Sequence, residues 1–587
     1  MTFAALALVA GCAWILGAVA FRFVRIPDVR PFEHLALGLT AGLGLTSVVF
    51  GVLLLANLFA YALPLAIFLT LLAIGDIARR VRAARDPRYD YHFESTDPLL
   101  AVAVIALVIA GAGNIAPTTD DDALAYVIPI AQRMAETGAF DRWADLSRGM
   151  WPQHQGVLLA FITRLAGPEH LGWLTAFELL LSVGVVSALA RRVCAQPEHV
   201  GAAVVIALGS PVVAFLAVSA KEDVLLSAAT AAAALCLTGS GSRLEHAAAG
   251  LFAGVAAGAK YSGLGVALAV VAWILFASRR SRLAGAAIAA LCAILAGGLW
   301  YGVNTWRYAN PIAPFVWGAA GTRLEFVAIR EMLDGYGVPR TPLSFALNPL
   351  HIFWNSDLFC GRANLFNPLA YAGLLLARDR ARRRLHAPLW FIAAVFYVGW
   401  FLSVQNARLL WPAAVLLAPA AADVLVPLVR RFRWLIVPSA VVVTASLAMP
   451  IAVGVVRDVR YLRDARAFVE RSVPHYAALE WMNQHLNPAR DRVASTHKVV
   501  AHLTIPHVSL DPTYQTEIRD SELDPARLID ALRRQGITHL FGEPGSFDAL
   551  APAVRIVYSD PASMLGGSRF FREPYREPAA VFELVVR

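Results

Sequence analysis

Apolar runs of about twenty residues recur along this chain, separated by short loops in which arginines gather. An α-helix of that length crosses a hydrocarbon layer roughly 30 Å thick. Of the 587 residues, 58% are hydrophobic and only 16% are charged. A soluble chain of this size carries about a quarter charged residues. The fold class implied is an all-α polytopic membrane bundle, and composition argues against a large soluble core protein.

The arginine-rich loops orient the bundle. Arg22, Arg25 and Arg30 follow the first run, and Arg79, Arg80, Arg82, Arg85 and Arg88 follow the third. Further basic loops hold Arg191 and Arg192, Arg243, Arg279 to Arg282, Arg378 to Arg384, and Arg430 to Arg433. Placing every one of them in the cytoplasm demands an even number of crossings between consecutive loops. The apolar runs satisfy that parity. They lie near 1–21, 34–56, 61–78, 98–116, 169–190, 199–218, 223–239, 245–259, 261–277, 283–304, 366–377, 387–403, 409–428 and 434–455. That predicts about fourteen helices with both termini outside the cytoplasm. The first run reads as a retained span, because no basic stretch precedes it and no small-residue cleavage site follows.

The same topology accounts for the net charge of +9. Basic residues sit in loops and no aromatic-and-basic platform is present, so nucleic acid is not an expected partner. The cysteines Cys12, Cys194, Cys236, Cys292 and Cys360 mostly fall in or beside apolar runs without metal-ligand spacing. Neither a disulfide framework nor a zinc site is expected.

Three parts follow. Residues 1–97 carry additional transmembrane helices, and 98–456 form a core with outer loops 117–168 and 305–365. Residues 457–587 have soluble composition and read as a small α/β domain outside the cytoplasm. In that tail 492–495, 507–510, 537–541 and 581–586 are strand candidates, and 525–535 has a helical pattern stopped by Gly536. It lacks a phosphate-binding glycine loop and reads as a support or acceptor-docking module.

The chemistry-bearing residues cluster on the outer side. Thr118-Thr119-Asp120-Asp121-Asp122 opens an amphipathic stretch near 124–137. Adjacent carboxylates there could cap a helix, act as a general base, or gather a divalent cation. Lys221-Glu222-Asp223 forms the outer turn between two spans, at the depth of Asp122. Lys260 and Arg408 are cations at outer helix ends, where snorkelling or phosphate binding would both explain them. Arg307, between the aromatic anchors Trp306 and Tyr308, is a further phosphate candidate, and His154 either touches substrate or is structural.

Asp122-Ala123-Leu124-Ala125-Tyr126 resembles the Asp-x-x-x-Tyr signature of GT-C-fold glycosyltransferases, the superfamily of protein O-mannosyltransferases and lipid A aminoarabinose transferases. Asp223-Val224-Leu225-Leu226 resembles its second acidic motif, and Gly258-Ala259-Lys260-Tyr261-Ser262-Gly263 its lysine segment. Arg408-Leu409-Leu410-Trp411-Pro412 and Asn310-Pro311 resemble its Arg-Tyr-x-x-Pro and Gly-Asn-Pro segments. The resemblance spans 98–455; Ala123 stands where the family often has Glu, and Tyr261 where it has Gly.

The resemblance implies a membrane enzyme that moves a sugar from a polyprenyl-phosphate donor to a hydroxyl-bearing glycan, lipid or protein on the non-cytoplasmic face. Asp122 and Asp223 would be catalytic, with inversion at the anomeric carbon. Asp121, Tyr126, His154, Glu222, Lys260, Arg307 and Arg408 would bind substrate. No metal ligand is assigned. A transporter or flippase of a lipid-linked or anionic solute is the alternative, though charges at one interface rather than at mid-membrane count against it. A non-catalytic assembly partner is a further one.

Overall fold

A computed structural model describes residues 1–22, 29–84, 98–141, 143, 146–277, 282–316, 318–320, 335–361, 365–378, 380–511, 524–563 and 576–585. It is a helical membrane bundle carrying a small sheet. Eight helices have the length and apolarity to cross a membrane: Thr2–Phe21, Pro31–Leu55, Phe59–Arg82, Gly172–Val193, Arg282–Tyr308, Arg384–Leu402, Ala407–Arg431 and Arg433–Arg463. His199–Leu208, Asp223–Leu237 and Ser262–Ala277 are shorter apolar helices.

Some expected spans take other forms, for local reasons. The run 199–218 breaks into His199–Leu208 and Pro211–Leu216. Proline disfavours helical backbone in the residue before it, and Ser210 is extended at φ −158°. The run 366–377 is a tighter 3₁₀ helix, Pro368–Arg378. The run 98–116 ends as helix at Ala112, where Asn114 turns the chain by donating to the carbonyls of Gly111 and Ala217.

Small residues bring the helices together. Gly250, Gly254 and Gly258 form a row on the helix Arg243–Ala259, which packs against Arg282–Tyr308. A methyl group on Gly254 would stand 2.4 Å from the carbonyl oxygen of Ala293, and one on Gly250 2.1 Å from that of Ala289. Such contact between backbones is the usual basis of helix association where lipid removes the hydrophobic drive. Helices before residue 98 join the same bundle: Ser47 donates to the carbonyl of His154 at 2.9 Å. At the opposite helix ends, arginine-bearing loops are tied by Glu33–Arg191 at 2.9 Å and Asp423–His199 at 2.6 Å.

The segment 117–168, expected as an outer loop, holds helices among its described residues. It contains the helices Ile128–Thr137 and His154–Ala166, the second not expected from the sequence. The last long helix, Ile436–Arg463, clamps the entry to this segment. Arg457 donates to Thr119 Oγ1 at 2.9 Å and to the Pro117 carbonyl at 2.7 Å, and Asp458 accepts from the Ala116 amide.

The tail holds β1 (Val493–Ser495), β2 (His507–Ser509), β3 (His539–Gly542), β4 (Val554–Asp560) and β5 (Ala579–Leu584), in the order β2-β1-β3-β5-β4. β1 is parallel to both neighbours, with Val493 opposite His507 and His539; the β3–β5 and β5–β4 pairs are antiparallel. Leu528 and Leu532 of the helix Pro525–Arg534 pack on Leu540 and Phe582. β4 escaped the pattern reading because it is a largely exposed edge strand with a register shift between Ile556 and Tyr558.

The glycine row makes a direct prediction. Gly254→Leu should abolish the monodisperse peak in size-exclusion chromatography. Gly265→Leu, where no atom lies within 4 Å of an added methyl, should leave it unchanged.

Candidate active site

The acidic triplet sits where the chain turns from the clamped entry strand into a wide π-helical turn, Ala123–Val127. Asp120 caps that turn, its Oδ1 accepting from the Ala123 amide at 2.9 Å. The turn widens because Pro129 lacks the N–H that a regular helix would use, and the Ile128 amide reaches back to the Ala123 carbonyl instead. Three other helix ends converge on it. Glu222 and Asp223 begin Asp223–Leu237, where negative charge suits the helix dipole. Lys260 ends Arg243–Ala259 in extended backbone, and Arg408 lies in a short turn capped by Asn406.

Their side chains alternate in sign along a continuous chain. Lys221 Nζ lies 2.8 Å from Asp120 Oδ1 and 2.9 Å from Asp122 Oδ2. Arg408 Nη2 is 3.4 Å from Asp122 Oδ2, and its Nε is 3.6 Å from Asp223 Oδ2. Lys260 Nζ closes the row at 3.1 Å from Asp223 Oδ1 and 2.8 Å from Glu222 Oε1. Lys498 joins from the tail, 3.8 Å from Asp122 Oδ1. The loop that carries it is tied to the turn by the Ala501 amide, which donates to the Leu124 carbonyl.

Asp121 stands apart from this pairing. No hydrogen bond or ion pair reaches its carboxyl among the described residues, and its Oδ1 is wholly buried. Burial, opposed by Lys498 but reinforced by Asp120 and Asp122, pushes its pKa up to about 6. Asp122 goes the other way. Burial opposes its charge, but Lys221, Arg408 and Lys498 outweigh that and hold it well below the usual carboxylate range. Its side chain keeps 30% exposure, so this carboxylate is partly open to solvent.

The structure thus gathers Asp121, Asp122, Glu222, Asp223, Lys260 and Arg408. Tyr126 stands beside them with its ring edge on Trp151 and the Arg148 guanidinium 5.4 Å from its centroid. His154 and Arg307 are elsewhere. Both ring nitrogens of His154 are engaged, with Trp300 Nε1 at 3.0 Å and the Ala296 carbonyl at 2.7 Å, in a fully buried position. The Arg307 guanidinium bonds the Phe140 carbonyl and lies over the Phe140 ring at 5.1 Å. Asp223 is 1% exposed, and its carboxylate is paired with Lys260 and Arg408. Asn310 holds a turn by donating to the carbonyls of Phe315 and Gly318.

Lys221, Lys498, Arg148 and Arg457 were not singled out as site residues from sequence. Lys221 had a signal, since it adjoins the Glu222-Asp223 pair. Lys498 had none, because the contact joins segments far apart in the chain. Among the described residues no group of three or more His, Cys, Asp or Glu side chains is arranged to hold a metal ion. Lys221 Nζ fills the space between Asp120 and Asp122.

ArnT from Cupriavidus metallidurans, solved bound to undecaprenyl phosphate, superposes with a TM-score of 0.53 at 16% identity. The match covers 82% of this chain and 97% of that one. The chain has the GT-C fold. ArnT in the apo state matches over the same shares with a TM-score of 0.54. The archaeal oligosaccharyltransferase AglB from Archaeoglobus fulgidus, in complex with an inhibitory peptide and a dolichol-phosphate, gives 0.47 at 13% identity, over 76% of this chain and 69% of that one. No protein-family model and no curated protein sequence matches the chain.

Two predictions follow from this GT-C site. Lys221→Met takes from Asp120 its paired cation and from Asp122 one of three, and should cost about 3–5 kcal/mol, read as a fall in Tm. Adding Asp120→Asn should recover part of the loss, a coupling that independent sites would not show. The Asp121 pKa lies above its ordinary 3.8, so the folded chain holds that proton more tightly than the unfolded one. Stability therefore falls as pH rises from 3.8 through about 6. Asp121→Asn should show a smaller Tm decline over that interval, and an unchanged pH profile would refute the assignment.

Proposed function

We propose that this chain is a membrane glycosyltransferase, moving a sugar from a polyprenyl-phosphate donor to a hydroxyl-bearing glycan, lipid or protein. The observation that carries the reading is the alternating acid–base chain at converging helix ends, on a fold shared with a protein crystallised with undecaprenyl phosphate. A lipid-linked donor needs an apolar surface for its tail, cations for its phosphate, and a carboxylate at the sugar. The arrangement offers the cations and the carboxylate together at one end of a membrane bundle. The arginine-rich loops support placing that end on the non-cytoplasmic face.

In this reading Asp122 is the general base. A well-paired carboxylate is a weak base, so proton transfer comes late, as the attacking hydroxyl becomes acidic. The acceptor oxygen bonds to the anomeric carbon, the bond from that carbon to the phosphate oxygen breaks, and the proton goes to Asp122. The lipid phosphate leaves with the electron pair, and direct displacement inverts the anomeric centre. Arg408 and Lys260 set the positive potential that meets the growing charge. Asp223 and Glu222 hold those cations in place, and Tyr126 with Arg148 walls the site. Residues 98–456 carry the reaction, residues 1–97 brace it, and 457–587 form the outer domain.

The test is release of polyprenyl phosphate from a panel of polyprenyl-phosphate sugars by the purified protein. Asp122→Asn should lower turnover by about 10²-fold or more while the protein remains monodisperse. Undiminished turnover in that variant would remove Asp122 from the mechanism.

A further inference from the structure

Apart from the acidic row, the interior of the bundle holds a carboxylate with no cation beside it. Glu178 lies in the span Gly172–Val193, about 9 Å along the helix from its start. That start is near the chain entering the acidic turn, since a methyl group on Gly172 would stand 3.4 Å from Thr118 Oγ1. Glu178 is 1% exposed, and among the described residues no Lys, Arg or His pairs with it. A carboxylate in such a place is costly unless something compensates it, and ionisable groups inside a membrane bundle are rarely there for packing alone.

Its polar neighbours leave oxygens, not donors, around it. Gln155 of the helix His154–Ala166 donates from Nε2 to Glu178 Oε2 at 3.3 Å. Gln155 Oε1 and Glu178 Oε1 remain buried with no hydrogen-bond partner. Thr175 stands three residues before Glu178 on the same helix face, and a helical side chain leans toward the preceding turn. Thr175 Oγ1 is likewise buried and without a partner. Two helices thus bring three unsatisfied oxygens to one carboxylate. Glu222, a further carboxylate, lies within electrostatic reach of Glu178 and adds to the negative potential there.

A proton on Glu178 would serve one of these oxygens, whereas a cation can be shared by all three. Carboxylate, amide and hydroxyl oxygens are the ligands that hard cations take. A single carboxylate balances one positive charge, and a divalent ion would leave a buried excess. We propose that Glu178, Gln155 and Thr175 hold one monovalent alkali cation, which fixes the helix His154–Ala166 against Gly172–Val193. Glu222 also holds Lys260 at 2.8 Å, so the ion bears on the charge balance of the acidic row. The site goes beyond the glycosyltransferase reading and does not depend on it.

The experiment measures retention of radioactive sodium and rubidium by purified full-length protein in choline chloride, at constant ionic strength. The wild type should bind at least one of the two ions saturably, and unlabelled NaCl or KCl should displace it. Its Tm should climb by about 1 °C or more for each tenfold rise in that salt over choline. Glu178→Gln should weaken ion binding by about tenfold or more, while its Tm in choline is no lower than that of the wild type, because the buried charge is gone and the shape is kept. Thr175→Val keeps the carboxylate and should weaken binding by about tenfold. A wild type that binds neither ion would overturn the site, as would a Glu178→Gln variant that binds as the wild type does. A Tm that follows pH but neither alkali cation would overturn it by assigning a proton to Glu178.

Discussion

One end of this bundle is organised by charges that alternate in sign where water is largely excluded. A lone buried carboxylate or ammonium is prohibitively costly, and neither Asp223 nor Lys221 is more than 1% exposed. Each is tolerable only because its neighbours carry the opposite charge at 2.8–3.6 Å. The row therefore specifies structure more than it stabilises it, since a buried pair roughly offsets its own desolvation. What it specifies is the meeting of four chain segments that have no other reason to coincide. Losing one member leaves its partners charged and stranded.

Backbone packing makes that meeting sterically available. The glycine row lets Arg243–Ala259 lie against Arg282–Tyr308 closely enough that Gly297 meets the Gly254 backbone. The same helix ends at Lys260, which that contact therefore helps to position. Trp411, fully buried, donates to the Ala207 carbonyl and anchors the turn that carries Arg408. Arg457 and Asp458 hold the entry segment just before Asp120, and the Ala123 and Ala501 amides hold the turn after it.

Much of this was legible in the sequence because membrane insertion writes itself into composition. Apolar runs and arginine loops locate helices and their ends, and polar residues at those ends mark a shared face. Asp122, Glu222, Asp223, Lys260 and Arg408 were found on that basis, with the resemblance of Asp122 to Tyr126 adding the register. Partner choice was not legible. Nothing in the local sequence says that Lys221 serves the triplet rather than its own neighbours Glu222 and Asp223. The histidine at 154 looked interfacial because Trp151 and Pro152 precede it, yet it begins a buried helix whose partner, Trp300, is remote in sequence. The edge strand β4 failed for the opposite reason: exposure erased its alternation.

The position of the charges also bears on what kind of work the site can do. Alternating-access transport moves a solute past charges near the middle of the membrane, commonly at broken helices. Here Glu222 and Asp223 start a helix, Lys260 ends one, and Arg408 precedes another, all at one end of the bundle. The break at Gly209–Ser210, which interrupts an apolar run, bears no charged side chain. Its free groups are met by neighbours, with the Gly209 carbonyl accepting from Asn367 and the Val212 amide donating to Leu365. A fixed, dense array of paired charges suits a reaction in which charge is transferred in place. In the proposed transfer, negative charge leaves the anomeric carbon with the phosphate as the acceptor hydroxyl gives up its proton. Both changes fall within the span of this array, so the helices need not rearrange for it to respond.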